Sequence, residues 1–253
     1  MNALADKVAL VTGSSRGIGA AIAKLFAHEG AKVVVHGRDE GALAAVHGEI
    51  ERAGGRVMQV TGDVTRLSDI ESMRERIEND FGPIDILVAN AGASLTPPGP
   101  FEEITEEGWQ ASVNANLTAT FLTIKGFLPG MKARRAGNII TMSSAAARRA
   151  HPQSPVPYAA AKAGLQMLTQ HLAAQVGSHG IRVNCIAPET ILTERNERQI
   201  PDAQKQSLVD IHPIKRLGTP DDVARAALFL ASSESAWITG VILDVTGGAV
   251  MVT

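Results

Sequence analysis

The stretch Thr12-Gly13-Ser14-Ser15-Arg16-Gly17-Ile18-Gly19 decides the fold. It follows a short apolar run, Val8 to Thr12, that is typical of a β-strand, and it opens a helical segment, Ala20 to His28. Glycine permits positive φ and close approach of the backbone to a ligand, and the free N–H groups at a helix start favour an anion. The turn therefore predicts a pyrophosphate site, although its G-x-x-x-G-x-G spacing differs from the common G-x-G-x-x-G fingerprint. A helix-starting turn without a ligand is the alternative.

Short apolar runs alternate with helical segments along the rest of the chain. Several runs are almost continuously apolar, which suits strands covered by helices on both faces of a parallel sheet. Six predicted strands follow the first, at Lys32 to His36, Val57 to Thr61, Ile86 to Ala89, Asn138 to Met142, Arg182 to Ala187 and Val241 to Val245. Because no linker or repeat divides the chain, we expect residues 1–253 to form a single α/β domain around a doubly wound sheet of about seven strands.

Two segments carry helix-start signals. Ser68 precedes apolar residues at helical spacing and is a predicted N-cap, and Gly82-Pro83 ends that predicted helix. Thr219-Pro220-Asp221-Asp222 combines a capping residue, a proline in the first turn and two acidic residues that suit the positive end of the helix dipole. We expect the helix that it opens to end near Ala231.

Composition and charge exclude several classes of protein. Of 253 residues, 45% are hydrophobic and 20% are charged, which argues against a disordered or fibrous chain. The net charge of −2 gives no broad positive field for nucleic acid or anionic lipid. The sequence contains no apolar stretch of membrane-spanning length and no signal-peptide pattern. We therefore expect a cytoplasmic protein without nucleic-acid or membrane partners.

Cysteine and histidine usage argues against disulfide and metal chemistry. The single cysteine, Cys185, can form no intramolecular disulfide and reads as a buried strand residue. The seven histidines show no metal-ligand spacing such as H-x-x-x-H. We expect no catalytic metal.

Two helical segments are unusually poor in charge. From Trp109 to Met131 the only charged residue is Lys125, and from Tyr158 to Val176 it is Lys162. A surface helix normally has a charged outer face, so these segments are expected to be covered on more than one side. Subunit association explains this better than a central position within one subunit, because a doubly wound sheet leaves the outer faces of its helices exposed.

The end of the second predicted strand bears on cofactor choice. NAD-binding sheets usually place an acid there to accept hydrogen bonds from the ribose 2′-hydroxyl, whereas a 2′-phosphate needs a cation. This chain has His36-Gly37-Arg38, with glycine about where the acid would fall. Arg38 suits a phosphate, and Arg16 lies in the adjacent turn. We predict NADP(H) in preference to NAD(H), with a surface ion pair of Arg38 to Asp39 or Glu40 as the alternative.

Tyr158 and Lys162 are four residues apart in a helical stretch, so they project from one helix face. An ammonium near a phenol stabilises the phenolate and lowers the pKa of the phenol, which makes it a better general acid or base near neutral pH. Tyr158 is the only tyrosine of the chain. The pair is a candidate catalytic centre.

Taken together, the motifs are typical of one family. The chain resembles the short-chain dehydrogenase/reductase family over essentially its whole length, and particularly its members that reduce 3-oxoacyl-[acyl-carrier-protein]. The resemblance rests on Thr12 to Gly19, Asp63-Val64, Asn90-Ala91-Gly92, Asn116, Ser144, Tyr158-Ala159-Ala160-Ala161-Lys162 and Pro188 to Thr193. It implies a Rossmann-type sheet, and an oxidoreductase that transfers hydride to or from a nicotinamide cofactor.

The resemblance implies four catalytic roles. Tyr158 would exchange a proton with a carbonyl or alcohol oxygen, and Ser144 would hold that oxygen by a hydrogen bond. Lys162 would hold the nicotinamide ribose and tune Tyr158, and Asn116 would support a water chain from Lys162 to solvent. Ser143 competes with Ser144, but the family uses the second serine of such a pair.

The resemblance also implies where the cofactor lies. Asp63 and Val64 would hold the adenine, Asn90-Ala91-Gly92 would line the central groove, and Ile191 and Thr193 would contact the carboxamide. Alternatively, Asp63 caps a helix, and Asn90-Ala91-Gly92 is an ordinary turn. The predicted cofactor-binding residues are Gly13, Ser15, Arg16, Gly17, Ile18, Gly19, Arg38, Asp63, Val64, Asn90, Ala91, Gly92, Tyr158, Lys162, Pro188, Ile191 and Thr193.

One departure from the family pattern bears on the substrate. Glu189 stands where the family usually has glycine, and we expect its side chain to face solvent, with an inward orientation as the alternative. It begins a predicted substrate lid at about 189–212. Arg148, Arg149 and His151 crowd a second predicted pocket segment, where they either attract an acidic substrate or form a solvated basic loop.

The leading hypothesis is an NADP(H)-dependent enzyme that reversibly reduces a ketone or 3-oxoacyl group to a secondary alcohol. An NADP-linked sugar or polyol dehydrogenase and a non-catalytic NADP-sensing protein are the alternatives. The charge-poor helices resemble those of the family's homotetramers. The expected partners are a small carbonyl or alcohol substrate and further copies of this chain.

Overall fold

The chain folds around one parallel β-sheet. A computed structural model describes residues 2–152 and 154–251. Within these ranges the sheet has seven strands: β1 (Val8–Val11), β2 (Lys32–Gly37), β3 (Arg56–Thr61), β4 (Ile86–Ala89), β5 (Gly137–Met142), β6 (Ile181–Pro188) and β7 (Ile242–Val245). Their order is β3-β2-β1-β4-β5-β6-β7, and every neighbouring pair is parallel. The predicted sheet is confirmed.

Helices cover both faces of the sheet, as predicted for a doubly wound, Rossmann-type fold. The α-helices in the described ranges are α1 (Gly17–His28), α2 (Glu40–Arg52), α3 (Leu67–Asp80), α4 (Glu106–Val113), α5 (Ala119–Arg134), α6 (Val156–Val176), α7 (Glu194–Gln199), α8 (Asp202–Asp210) and α9 (Pro220–Ala231). Buried side chains of α1, α2 and α9 form one apolar layer, and those of α3, α5 and α6 form the other. Within the described ranges, no helix is both long and apolar enough to cross a bilayer.

Strand β1 shows why the sequence specifies this arrangement. Successive side chains of a strand point to opposite faces, so Ala9 and Val11 join the first apolar layer while Val8 and Leu10 join the second. All four side chains are buried. Burial contributes about 1.5–3 kcal/mol for each fully enclosed Val or Leu side chain, which favours a strand enclosed on both faces.

The two predicted helix starts have different outcomes. Thr219 caps α9 as predicted, and its side chain and that of Asp222 form a reciprocal capping box. The prediction that Ser68 caps α3 is wrong, because the N-cap is Arg66 and Ser68 lies inside the helix. The carboxylate of Asp69 accepts a hydrogen bond from the backbone N–H of Asp63 at 3.0 Å, which holds the start of α3 against the preceding loop.

The carboxyl edge of the sheet brings the sequence motifs together. Strand β1 lies between β2 and β4, so the strand order reverses there and leaves a crevice beyond the strand ends. The glycine turn follows β1, and Asn90 follows β4. Ser144 follows β5 by one residue, and Glu189 directly follows β6. Motifs that are far apart in sequence therefore share one edge.

Candidate active site

A cleft of about 650 Å³ opens at this edge. Thirteen of the predicted site residues line it: Gly13, Arg16, Gly17, Ile18, Gly19, Asn90, Gly92, Ser144, Tyr158, Lys162, Pro188, Ile191 and Thr193. The other predicted residues lie outside its lining: Ser15, Arg38, Asp63, Val64, Ala91 and Asn116. The cleft joins the glycine turn to the Tyr158–Lys162 pair, as one extended ligand site requires.

The glycine turn fits the diphosphate of a dinucleotide. Gly13 has φ +65°, and a Cβ atom on it would lie 2.9 Å from the Cα atom of Ala91. A Cβ atom on Gly19 would lie 2.4 Å from the carbonyl oxygen of Gly13, so neither of these two positions has room for a side chain. Helix α1 begins without a side-chain cap and without an acidic residue in its first turn. Its first N–H groups and positive dipole end are therefore available to an anion.

Asn90 and Thr12 fix the turn against β4. The side-chain amide of Asn90 donates to the carbonyl oxygens of Thr12 and Gly13, at 2.9 and 3.1 Å. The hydroxyl of Thr12 accepts from the backbone N–H groups of Asn90 and Ala91, both at 3.1 Å. These four bonds tie the glycine turn to the end of the parallel neighbouring strand β4.

The segment after β2 presents a cation rather than an acid. Arg38 is exposed, and within the described ranges it forms no ion pair with Asp39 or Glu40. Asp39 instead caps α2 through the N–H of Ala42 and pairs with Arg16 at 2.5 Å. The alternative interpretation of Arg38 as a surface ion-pair partner is therefore wrong. Arg38 lies close enough to Asp63 to help lower the pKa of that carboxyl group.

Asp63 and Val64 occupy different environments. The Asp63 carboxylate accepts from the backbone N–H and the hydroxyl of Thr65, at 2.9 and 2.7 Å. These two bonds, the backbone bond first, are the main reason for its lowered pKa. The Val64 side chain is buried in the apolar layer of α3. Asp63 thus shapes the loop after β3, and contact with an adenine stays a prediction.

Tyr158, Lys162 and Ser144 meet in the deep part of the cleft. Tyr158 and Lys162 lie one turn apart on α6, with the Lys162 ammonium 5.6 Å from the centre of the phenol ring. Burial raises the pKa of Tyr158, and a hydrogen bond with the Ser144 side chain acts in the opposite direction. Burial lowers the pKa of Lys162 to about 8. The Lys162 ammonium donates to the carbonyl oxygen of Met142 at 2.7 Å.

The two serines after β5 have distinct surroundings. The buried hydroxyl of Ser143 donates to the carbonyl oxygen of Lys162 at 2.9 Å and accepts from the Gln166 amide at 3.0 Å. Ser144 lines both the cleft and a neighbouring pocket, and its hydroxyl also accepts from the N–H of Ala146 at 3.2 Å. Both serines line the cleft, and the choice of Ser144 as the serine that meets a substrate stays a prediction.

Asn116 lies at a local widening of the helix between α4 and α5. Residues 114–118 form a π-helical turn, and the Asn116 side chain is fully buried there. Its amide nitrogen donates to the carbonyl oxygens of Ala93 and Ser112, both at 2.8 Å, and its amide oxygen accepts from the N–H of Ala93 at 3.2 Å. The side chain thus holds the loop that follows Gly92. Support of a water chain stays a prediction.

A second pocket of about 410 Å³ adjoins the cleft at Ser144 and Tyr158. Glu189 is half-buried and lines both cavities, which favours the inward orientation that the sequence left as the alternative. Glu189 is absent from the residues with positive φ in the described ranges, which explains why glycine is not required there. The pocket is lined by Ser94, Ser144, Ala145, Ala146, Arg149, His151, Ser154, Pro155, Tyr158, Glu189, Thr190, Asn196, Leu208 and Ile211.

The basic segment after Ser144 is not a uniform solvated loop. Arg148 forms a two-point ion pair with Asp244 of β7, at 2.9 and 3.0 Å, which raises the pKa of its guanidinium. Arg149 lines the second pocket and donates to the carbonyl oxygen of Ala249 at 3.0 Å. Arg148 is therefore held within the fold, whereas Arg149 borders the second pocket.

Helix α7 lies within the predicted lid segment at about 189–212, but the sequence did not indicate which of its residues face the cleft. Glu194, Asn196 and Gln199 line the cleft in addition to the predicted Thr193. Thr193 caps α7 by accepting from the N–H of Asn196 at 3.3 Å, and the Asn196 amide donates to the carbonyl oxygen of Ile191 at 2.8 Å. The threonine before a polar helical stretch was the available signal.

Comparison with known proteins agrees with this geometry. The sequence model of a family described as enoyl-(acyl carrier protein) reductase matches residues 13–250. The 3-oxoacyl-[acyl-carrier-protein] reductase FabG of Escherichia coli (strain K12) is 39% identical, with 97% of this chain and 98% of that protein covered. Glucose 1-dehydrogenase 2 of Bacillus subtilis (strain 168) is 38% identical, with coverage of 97% and 95%.

A solved structure extends the likeness to three dimensions. The 3-oxoacyl-[acyl-carrier protein] reductase of Brucella melitensis, crystallised with bound NAD, superimposes with a TM-score of 0.91 at 34% identity, covering 99% of this chain and 94% of that one. The chain belongs to the short-chain dehydrogenase/reductase family of oxidoreductases, which use nicotinamide cofactors.

Proposed function

We propose that this protein is an NADP(H)-dependent oxidoreductase that reversibly reduces a ketone or 3-oxoacyl carbonyl to a secondary alcohol. The observation that carries the proposal is the meeting of Tyr158, Ser144 and Lys162 in a cleft that continues to the uncapped start of α1. A bound nicotinamide cofactor supplies or accepts the hydride.

Tyr158 and Ser144 handle the oxygen of the substrate. As a carbonyl is reduced, its oxygen gains negative charge, and the Tyr158 hydroxyl gives it a proton. The Ser144 hydroxyl donates a hydrogen bond to the same oxygen and so stabilises the developing charge. In the oxidative direction the phenolate of Tyr158 takes the proton from the alcohol.

Lys162 prepares Tyr158 for this exchange. Burial raises the pKa of the phenol, so an enclosed Tyr158 without a cation nearby would be a poor base. The Lys162 ammonium, 5.6 Å from the ring centre, favours the phenolate by Coulomb attraction. It also faces Gly92, where a bound ribose hydroxyl would accept its hydrogen bond.

Arg38 and Gly37 favour NADP(H). A Cβ atom on Gly37 would lie 3.2 Å from the Cβ atom of Ser15, so the position that would carry a ribose-binding acid is crowded. Arg38 is exposed and without an ion-pair partner in the described ranges, so it is available to a 2′-phosphate.

The second pocket favours one alternative substrate class. Glu189 and Arg149 both line this pocket, and no ion pair joins them in the described ranges. Three residues that carry hydroxyl groups also line this pocket: Ser94, Ser154 and Thr190. Such a pocket suits a hydroxylated substrate, as an NADP-linked sugar or polyol dehydrogenase would need. A non-catalytic NADP sensor is disfavoured because it has no use for Tyr158.

The direct test is cofactor consumption against ketones, 3-oxoacyl thioesters and polyols, with NADPH and NADH in parallel. We expect turnover with NADPH, and a loss of at least about 100-fold in kcat for Tyr158→Phe with the Kd for NADPH nearly unchanged. Tight NADP binding without turnover of any substrate would favour the sensor.

Glu189→Gln separates the two enzymatic substrate classes. Removing this charge should reduce kcat/KM for polyols and leave that for 3-oxoacyl thioesters unchanged or higher, because only the polyols donate hydrogen bonds to the carboxylate. An equal effect on both classes would contradict the polyol alternative.

A further inference from the structure

A buried histidine connects the two backbone segments that flank the adenosine end of the cleft. His36, on β2, is 3% exposed. The backbone N–H of Gly13 donates to its Nδ1 atom at 3.2 Å, and its Nε2 atom lies 3.1 Å from the carbonyl oxygen of Gly62. A carbonyl oxygen can only accept, so Nε2 carries the hydrogen and Nδ1 is the acceptor. Both contacts together require a neutral imidazole.

The backbone of His36 reinforces the same connection. Its N–H donates to the Ser14 hydroxyl, and its carbonyl oxygen accepts from the Ser14 N–H, both at 2.8 Å. The Ser14 hydroxyl in turn donates to the carbonyl oxygen of Val11 at 2.7 Å. Of these contacts, only the one between the His36 side chain and Gly62 reaches the segment that follows β3.

We propose that His36 is a positioning residue for the cofactor, whose neutral imidazole holds the glycine turn in its binding conformation and whose protonation releases that turn. Gly13 belongs to the turn, and Gly62 directly precedes Asp63 and Val64. The imidazole therefore joins the glycine turn to the loop after β3, and its contact with Gly13 is the one that holds the turn. The inference depends on nicotinamide-cofactor binding and is independent of the substrate.

The surroundings of His36 determine the pH range of this effect. Burial lowers the pKa of His36 from its ordinary value of 6.5, while the hydrogen bond to Gly62 and the carboxylate of Asp63 raise it and Arg38 lowers it. A protonated imidazole would present an N–H to the N–H of Gly13, so two donors would face each other. Cofactor affinity should thus be constant above pH 6.5 and fall below it, by up to about tenfold per pH unit once His36 is protonated.

Two variants separate the two side-chain contacts. In His36→Asn the amide oxygen reaches about the position of Nδ1 and can accept from Gly13, whereas in His36→Gln the amide reaches the position of Nε2 and can meet only Gly62. We expect calorimetric titration of the full-length chain with NADP⁺ at pH 7.5 to give a Kd within about threefold of wild type for the asparagine variant. The glutamine variant should bind at least about tenfold more weakly, as expected for one lost buried hydrogen bond.

The pH arm uses NAD⁺, because the 2′-phosphate of NADP⁺ itself titrates near pH 6. Wild type and His179→Asn, which changes a partly exposed histidine away from the cleft, should lose affinity below pH 6.5 within the pH range in which the chain stays folded. The asparagine variant of His36 should show a flat profile. Thermal unfolding at each pH confirms that the titrated chain is folded.

Three results would overturn the proposal. One is equal or tighter binding by the glutamine variant than by the asparagine variant. A second is a pH profile of the asparagine variant that matches wild type. The third needs no variant and therefore holds even if both substitutions prevent folding: a wild-type affinity for NAD⁺ that stays constant down to the lowest pH at which thermal unfolding shows the chain to be folded.

Discussion

Lys162 is an enclosed cation that forms no ion pair in the described ranges. Burial lowers its pKa from 10.5 to about 8, so the unfolded chain binds more protons than the folded chain between these values. The free energy of unfolding should therefore rise with pH through that interval, by about 3 kcal/mol at most for a shift of this size. The buried charge of Lys162 below pH 8 therefore lowers the free energy of unfolding. The same charge favours the phenolate of Tyr158.

Lys162→Met tests this expected pH dependence of the free energy of unfolding. The variant should be more stable than wild type at pH 7, and the difference should shrink as pH rises from 8 to 10. Thermal or urea unfolding of the cofactor-free chain across pH 7–10 measures it. Lys125→Met, which removes an exposed lysine of α5, is the matched control and should show no such pH dependence.

Arg38→Glu tests the cofactor preference at the same scale. An arginine hydrogen-bonded to a phosphate is worth about 1.5–3 kcal/mol, so the substitution should raise the KM for NADPH by about 10- to 100-fold and leave that for NADH nearly unchanged. Arg52→Glu, an exposed change in the last turn of α2, serves as the control. An equal rise in the KM values for both cofactors would show that Arg38 does not bind the 2′-phosphate.

Residues with local partners could be predicted from the sequence, and residues with distant partners could not. The spacing of Tyr158 and Lys162 places both on one helix face because the helical repeat is local. Arg148 pairs with Asp244, which is 96 positions away, so only the fold reveals that it is unavailable to a substrate. The orientation of Glu189 likewise depends on which elements enclose the end of β6.

At the scale of elements, Thr219 is expected to contribute measurably to stability. Thr219→Ala removes the capping box of α9, which packs against α1 in the apolar layer beneath the glycine turn. The loss should be about 1 kcal/mol in the free energy of unfolding. Ser68→Ala is the matched control because Ser68 is exposed and caps nothing, so its effect should stay within about 0.5 kcal/mol. Chemical denaturation measures both, and similar losses would show that the box contributes little.

The strands were predictable and some helix boundaries were not. Apolar runs bounded by turn residues specify all seven strands within a few residues. At the start of α3, Asp69 in the first turn accepts from the backbone of Asp63 in the preceding loop, a contact that the cap residue, Arg66, does not reveal. The π-helical turn at 114–118 depends on the bonds of Asn116 to Ala93, so it also needs the folded chain.

At the scale of the whole molecule, the charge-poor helices keep exposed apolar side chains. Phe121 on α5 is 47% exposed, and Met167 on α6 is 55% exposed. We propose that they pack against a second copy of the chain in a homotetramer. The double variant Phe121→Glu/Met167→Glu should give a smaller species in light scattering, because charges would be buried at the contact. Phe101→Glu, at an exposed residue of a short 3-10 helix, should keep the wild-type mass.

The π-helical turn requires a fixed number of residues between α4 and α5. A π-helical turn holds one more residue than a regular turn, so deleting one residue between Asn114 and Thr118 would restore regular winding and remove the local widening in which Asn116 lies. Asn116 would then turn away from Ala93, and the backbone beside Gly92 would lose its anchor. Chimaeras with relatives should therefore be joined outside residues 114–118. A single-residue deletion within this segment would change the cleft and not only the surface.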